Sequence, residues 1–459
     1  MTSRRGLISV LASSLLLAAC ATVPTPDEHP PIIFVHGNGD TAALWQTTVW
    51  RFESNGWPAN RLHAMDIPYP LARDVDTQAQ PGRTSTTEQM ALLKAEVEKV
   101  IQATGARKVV LVSNSRGGYA IRNYIQNGGG SERVSHAILG GAPNHGVWAI
   151  KGYREGNEFA GTGPFLTALN GPKNLSGDEV TGPVQWLTVR SDGNDKFAQP
   201  DGVWIGAKGT PTNITADGPA LKGASNSVIV GADHRETSFS PAAFALAYRF
   251  ITGKAPQLTT ITPGTPIVLN GKLVGLGLNP ADPESGTYSN NLPLAGAQLA
   301  VYATSAVTGE RLGDAVYTKT VGSDGIWGPF NAQAAVQYEF VINAPGYATT
   351  HIYRSPFPRS SSILNMRAER LAEADKGAKS TIIMTRPRGY FDAVRDNMRF
   401  DGKNTLPGVP PTGAGVSSAK LHLTGEGLRP VSAEFNGEKV TGQTWPAAQN
   451  HMVMLELTY

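Results

Sequence analysis

The 459-residue chain contains one cysteine, Cys20, so no intrachain disulfide can form and no CxxC metal site exists. Charge is sparse and nearly balanced: 17% of residues are charged and the formal net charge is +3. Two of those positive charges are Arg4 and Arg5, in a segment expected to be removed, which leaves +1. That is too little to draw in nucleic acid or an anionic membrane surface. The apolar run from Leu7 to Ala19 is too short for a spanning helix. Histidine is also scarce: His234 alone stands between His145 and His351. Glycine (51) and proline (32), by contrast, are abundant, which argues for many turns and a β-rich portion. A chain this long exceeds one ordinary core, so two or three domains are expected.

Arg4 and Arg5 ahead of a short apolar run read as an export signal, residues 1–19. Leu17-Ala18-Ala19-Cys20 matches the lipobox of bacterial lipoproteins. The match implies cleavage before Cys20, lipid on its thiol and a place in the bacterial cell envelope. Ser3-Arg4-Arg5-Gly6-Leu7 loosely resembles a twin-arginine export signal. Residues 20–29 are a Pro-rich tether, and two or more acyl chains would hold the protein on a membrane.

Residues 30–254 alternate strands with helices. Pro31 to Val35, Arg107 to Ser113, Val134 to Leu139 and Val184 to Arg190 are apolar runs of strand length, and Ser227 to Val230 adds another. Ser85 to Thr104 is a helix: Ser85 and Glu88 form a capping-box pattern, Leu93, Val97 and Val100 share a face, and Gly105 closes it. Gly118 to Gln126 and Pro241 to Ile251 are two more helices. This alternation predicts a mostly parallel sheet covered on both faces, an α/β fold. Residues 255–459 instead show strand-like runs separated by turns, an all-β region with an internal break near 370–385.

Ser113-Asn114-Ser115-Arg116-Gly117 lies between a strand and a helix, the context of a nucleophile elbow, with Ser113 where the motif usually has Gly. The strained turn that lifts the nucleophile requires small residues on either side, and Ser113, Gly117 and Gly118 supply them. Ser115 is therefore the candidate nucleophile. Acyl transfer needs amide donors for the oxyanion; in this fold they come from the residue after the nucleophile, Arg116, and from the loop after the first strand, Asn38. His36 precedes the nucleophile and is read as a brace for that loop. The base is His234, between the last strand and the terminal helix. Asp195, after the strand ending at Arg190, is the chosen acid, with Asp192 the main alternative and Asp201 and Asp233 behind it. The same stretch faintly resembles a calcium loop, but Phe197 holds the position that needs Gly and no Glu closes it. No metal and no cofactor is required.

These motifs resemble the α/β-hydrolase lipases and esterases. Phe239-Ser240-Pro241-Ala242-Ala243-Phe244 and Phe250-Ile251-Thr252-Gly253-Lys254-Ala255-Pro256 are similar to the last hydrolase helix and domain junction of an archaeal long-chain lipase with a C-terminal β-domain. Ile267 to Leu276, Tyr338-Glu339-Phe340 and Tyr353-Arg354-Ser355-Pro356-Phe357 are similar to that β-domain. The resemblance implies the α/β-hydrolase fold, hydrolysis of carboxylic esters through a Ser-His-Asp triad and an acyl-enzyme, and a β-domain that assists lipid substrates. One departure stands out: the archaeal type takes its acid from the strand before, and here that place holds Gly140-Gly141. Val147 to Gly182 reads either as a lid or as ordinary core, with Trp148, Phe165 and Leu166 either lining an acyl pocket or packed inside. The expected partners are an ester or lipid substrate and a membrane; oligomeric state is open. Two other readings compete: a polyester or polymer depolymerase that binds through its β-domain, and a surface-binding lipoprotein without activity.

Overall fold

A computed structural model describes residues 29–278, 287–375, 377–425 and 427–459. The expected export signal, Cys20 and most of the expected tether lie outside the described residues.

Six parallel strands form the first sheet: β1 (Ile32–Val35), β2 (Leu62–Met65), β3 (Val109–Asn114), β4 (Val134–Gly140), β5 (Gln185–Ser191) and β6 (Ser225–Ile229). Their spatial order is β2-β1-β3-β4-β5-β6. Successive residues of a strand point to opposite faces, and the apolar runs are long enough to feed both. Ile33, Val35, Val109, Leu111, Ala137 and Leu139 pack under helices Thr86–Thr104 and Gly117–Asn127. Ile32, Phe34, Val110, Val112 and Ile138 pack under helices Gln46–Ser54 and Pro241–Thr252. The architecture is that of an α/β-hydrolase. Helix Thr86–Thr104 carries the expected capping box in full, and Gly105 ends it with φ 68°.

The hydrolase chain ends at Gly253, which caps Pro241–Thr252 in the left-handed region. Beyond it the chain is mostly strands in several sheets. The largest has seven: β7 (Gln298–Thr304), β8 (Tyr317–Thr320), β9 (Gln337–Asn343), β10 (Thr349–Arg354), β11 (Ser380–Thr385), β12 (Ser418–Leu423) and β13 (His451–Glu456), in the order β8-β7-β9-β10-β13-β11-β12. The last strand, β13, lies between β10 and β11 and is parallel to both. The region has two cores, one around Trp327 and Phe340 and one around Phe391 and Phe400. The C-terminal strand joins the strands that precede residue 370 to those from Ser380 onward in one sheet.

The two regions interlock. Trp50 of helix Gln46–Ser54 packs in the Trp327 core and donates to Ser360 O at 2.7 Å. Asn291 donates to Asp40 O and Ile67 O, both at 2.9 Å.

Candidate active site

Ser115 follows β3 directly and opens the turn into helix Gly117–Asn127 with φ 53°, a conformation costly for any residue with a Cβ. The neighbourhood explains the small residues. A Cβ on Gly117 would lie 2.6 Å from Val35 O, and one on Gly118 2.5 Å from Ala142 Cβ. Gly37 is equally constrained, since a Cβ there would meet that of Ser115 at 2.9 Å. Ser113 fits in place of the usual Gly because its hydroxyl turns to Ile138 O.

His234 sits on the loop after β6. Its Nδ1 donates to Asp195 Oδ2 at 2.8 Å, and its Nε2 is buried without a hydrogen-bond partner among the described residues. Asp195 Oδ1 accepts the Phe197 amide at 2.8 Å, so both carboxylate oxygens are held. The Phe197 ring meets the imidazole edge-on at 4.6 Å and fixes its plane. His234 O accepts from Asn114 Nδ2 and Thr237 Oγ1, which ties the histidine to the strand that carries Ser115. Ser115, His234 and Asn38 line one cleft of about 270 Å³. Ser115 is 8% exposed, His234 3% and Asp195 7%.

The other candidate acids lie elsewhere. Asp192 accepts the Gly231 amide, Asp201 the Val203 amide, and Asp233 the amides of Arg235, Glu236 and Tyr390. The departure at Gly140-Gly141 has a steric cause. A Cβ on Gly141 (φ 55°) would meet Thr237 Oγ1 at 2.6 Å and His234 O at 2.8 Å, so no carboxylate fits there.

His36 is wholly buried; its Nδ1 donates to Gly37 O and its Nε2 accepts the Ile67 amide. Burial lowers its pKa, so it stays neutral and shapes the loop that presents Asn38. The Asn38 side chain accepts the Ala72 amide at 2.7 Å. Arg116 precedes helix Gly117–Asn127, where backbone donors have no intrahelical acceptor. Its side chain is fully buried and bidentate to Glu158, with further bonds to Pro70 O and Thr84. Burial raises the Glu158 pKa and Arg116 opposes the rise.

That ion pair anchors the candidate lid. Asn157 also donates to Arg73 O, and Gly156 O accepts the Asp76 amide. Residues 147–159 thus form one wall of the cleft, tied down at residues 156–158. Trp148 lines the cleft beside Phe159, Phe197 and Trp204, whereas Phe165 and Leu166 pack against Tyr119 as core. A fifth aromatic, Tyr390, reaches the cleft from the C-terminal region. No feature of the sequence marked Tyr390, because it enters through a tertiary contact from 156 residues beyond His234.

Two family models match the chain: lipase (class 2) over residues 29–157 and the lipase C-terminal domain over residues 265–371. In both stretches the chain is similar to the lipases and esterases of the α/β-hydrolase fold. The matched families support an ester hydrolase. Among solved structures it is similar to a Bacillus licheniformis lipase in its propeptide form, at 16% identity over 69% of this chain and 90% of that one, TM-score 0.34. It is also similar to Aspergillus fumigatus lipase B, at 17% over 50% and 54%, TM-score 0.34. A carboxylesterase from Bacillus subtilis matches at 15% over 50% and 86%, TM-score 0.28.

Proposed function

We propose that the protein is a serine carboxylic-ester hydrolase working through Ser115, His234 and Asp195. One observation carries the reading: Ser115, raised on its strained turn, shares a cleft with the unpartnered Nε2 of a histidine whose Nδ1 is held by a buried carboxylate. An imidazole bonded this way has Nε2 as its free basic atom. Ser115 Oγ attacks the ester carbonyl and passes its proton to His234 Nε2. The amides of Arg116 and Asn38 take the negative oxygen. Collapse of the tetrahedral species breaks the C–O bond, and the alcohol leaves with the proton from His234. Water, deprotonated by the same nitrogen, then releases the acid.

The cleft favours esters of modest size. Its volume of about 270 Å³ lies just below the range of roughly 300–1,000 Å³ usual for small-molecule sites, and its aromatic walls suit short or ring-bearing acyl groups. We further propose that Cys20 carries a lipid anchor that places this activity at a membrane. The test of the reaction is Ser115→Ala and His234→Ala assayed on soluble esters of increasing acyl length. Both should lose at least about 10⁴-fold in turnover with the fold intact. A folded Ser115→Ala that still turns over at the wild-type rate contradicts the reading.

A further inference from the structure

The loop bearing His234 is built on a reciprocal pair of acids. Asp233 Oδ1 accepts the Glu236 amide at 2.9 Å, and Glu236 Oε2 accepts the Asp233 amide at 2.9 Å. This is the geometry of a capping box, and it grips the backbone on both sides of His234. It also brings two carboxylates together where the Asp233 side chain is fully buried. Such a pair needs cations close by. The nearest arginine of the hydrolase domain, Arg235, is engaged elsewhere: it bonds Asp40 Oδ1 at 2.6 Å and Pro387 O at 2.8 Å. The cations come from the C-terminal region. Arg386 bonds Asp233 Oδ2 at 3.2 Å and Glu236 Oε1 at 2.6 Å, spanning both acids. Arg395 bonds Glu236 Oε2 at 2.5 Å and lies 3.6 Å from Asp233 Oδ2. The Tyr390 amide donates to Asp233 Oδ2 at 2.7 Å, and the adjoining ring lines the cleft.

We propose that residues 386–395 are part of the active site, with Arg386 and Arg395 as positioning residues that seat the His234 loop through Asp233 and Glu236. The segment lies beyond the matched C-terminal lipase domain, which ends at residue 371. The electrostatics agree with the geometry. Burial and Glu236 push the Asp233 carboxyl up to about 6, while Arg386 and Arg395 outweigh burial and hold Glu236 below its ordinary value. The C-terminal region therefore contributes to the reaction with every ester, large or small, and not only through distant binding of long substrates.

The inference rests on His234 as the base, so its test has one readout independent of catalysis. Arg386→Ala, Arg386→Lys and Arg395→Ala are made in the full chain, with circular dichroism as the check on folding. Hydrogen exchange at the amides of residues 233–236 reports the seating of the loop, and kcat and KM on a small soluble ester report the reaction. Arg386→Ala should speed exchange there and lower kcat by about 10- to 100-fold with KM nearly unchanged, since a small misplacement of the base acts on the chemical step. Arg386→Lys should recover part of the loss, because one ammonium cannot span both carboxylates. If Arg386→Ala does not fold, Arg395→Ala, which removes a more exposed side chain, should show the same pattern in weaker form. Wild-type exchange and kcat in a folded variant overturn the proposal, as does faster exchange with unchanged kcat. Failure of the base reading appears separately, as a His234→Ala variant that keeps its turnover.

Discussion

Asp195 Oδ2 lies 2.8 Å from His234 Nδ1, whereas Asp192, three residues earlier on the same loop, turns away to accept the Gly231 amide. The loop folds around Ser191 Oγ, which accepts the amides of Gly193 and Asn194, and that turn aims Asp195 inward. A carboxylate in this position holds the imidazole in the tautomer whose free nitrogen is Nε2, and His234 lines the same cleft as Ser115.

Asp195→Asn is therefore expected to cut kcat by on the order of 10⁴-fold, while Asp192→Asn costs less than about tenfold. Steady-state kinetics on one soluble ester with both variants decides it. Equal, mild losses would remove the role assigned to Asp195.

The hydrolase half was largely legible in the sequence, because its strands are continuous apolar runs and its helices carry their own caps. The elbow around Ser115 and the lone histidine between His145 and His351 narrowed the candidate site further. β2 escaped because Leu62, His63 and Ala64 are all only half-buried and show no apolar run. Among the C-terminal strands, Glu438–Gln443 was missed because polar residues such as Thr441 occupy buried positions, whereas Pro430–Phe435 does alternate, with Val431, Ala433 and Phe435 buried, and was overlooked. Tyr390, Arg386 and Arg395 carry no local signal. Their place at the site depends on a sheet closed by the last strand of the chain, and sequence spacing does not reveal that.

Glu158→Gln leaves the Arg116 guanidinium in a fully buried site without its counter-charge. The loss in stability should be about 3–5 kcal/mol, measured by denaturant unfolding. The same anchoring predicts that hydrolysis of a sparingly soluble ester rises smoothly through its solubility limit. A sharp jump in rate at that limit would mean that the Val147–Gly182 wall opens at interfaces.

Lys196 gives a pH signature. Its ammonium lies over the rings of Tyr390, Trp204 and Phe197 at 4.2–5.0 Å and donates to Gly415 O. Burial, with Arg235 nearby, lowers its pKa from 10.5 to about 8. Between those values the unfolded chain binds the extra proton, so this group adds stability as pH rises from about 8 towards 10.5. The unfolding free energy of the wild type should climb relative to Lys196→Met across that window. A flat difference would show that the ammonium is not disfavoured by folding.

If Cys20 carries the proposed anchor, Cys20→Ser should move the protein from the membrane fraction to the soluble one. Turnover of a small ester should stay unchanged, because the residues of the proposed site lie between Asn38 and Arg395. A variant that remains with membranes would place the attachment elsewhere.

The most direct measurement is stoichiometric labelling with a fluorophosphonate, followed by peptide mapping. One phosphonyl group should appear on Ser115, turnover should fall in step with labelling, and His234→Ala should slow the reaction by on the order of 10³-fold or more. A label on another residue, or full turnover after Ser115 is modified, would contradict the account.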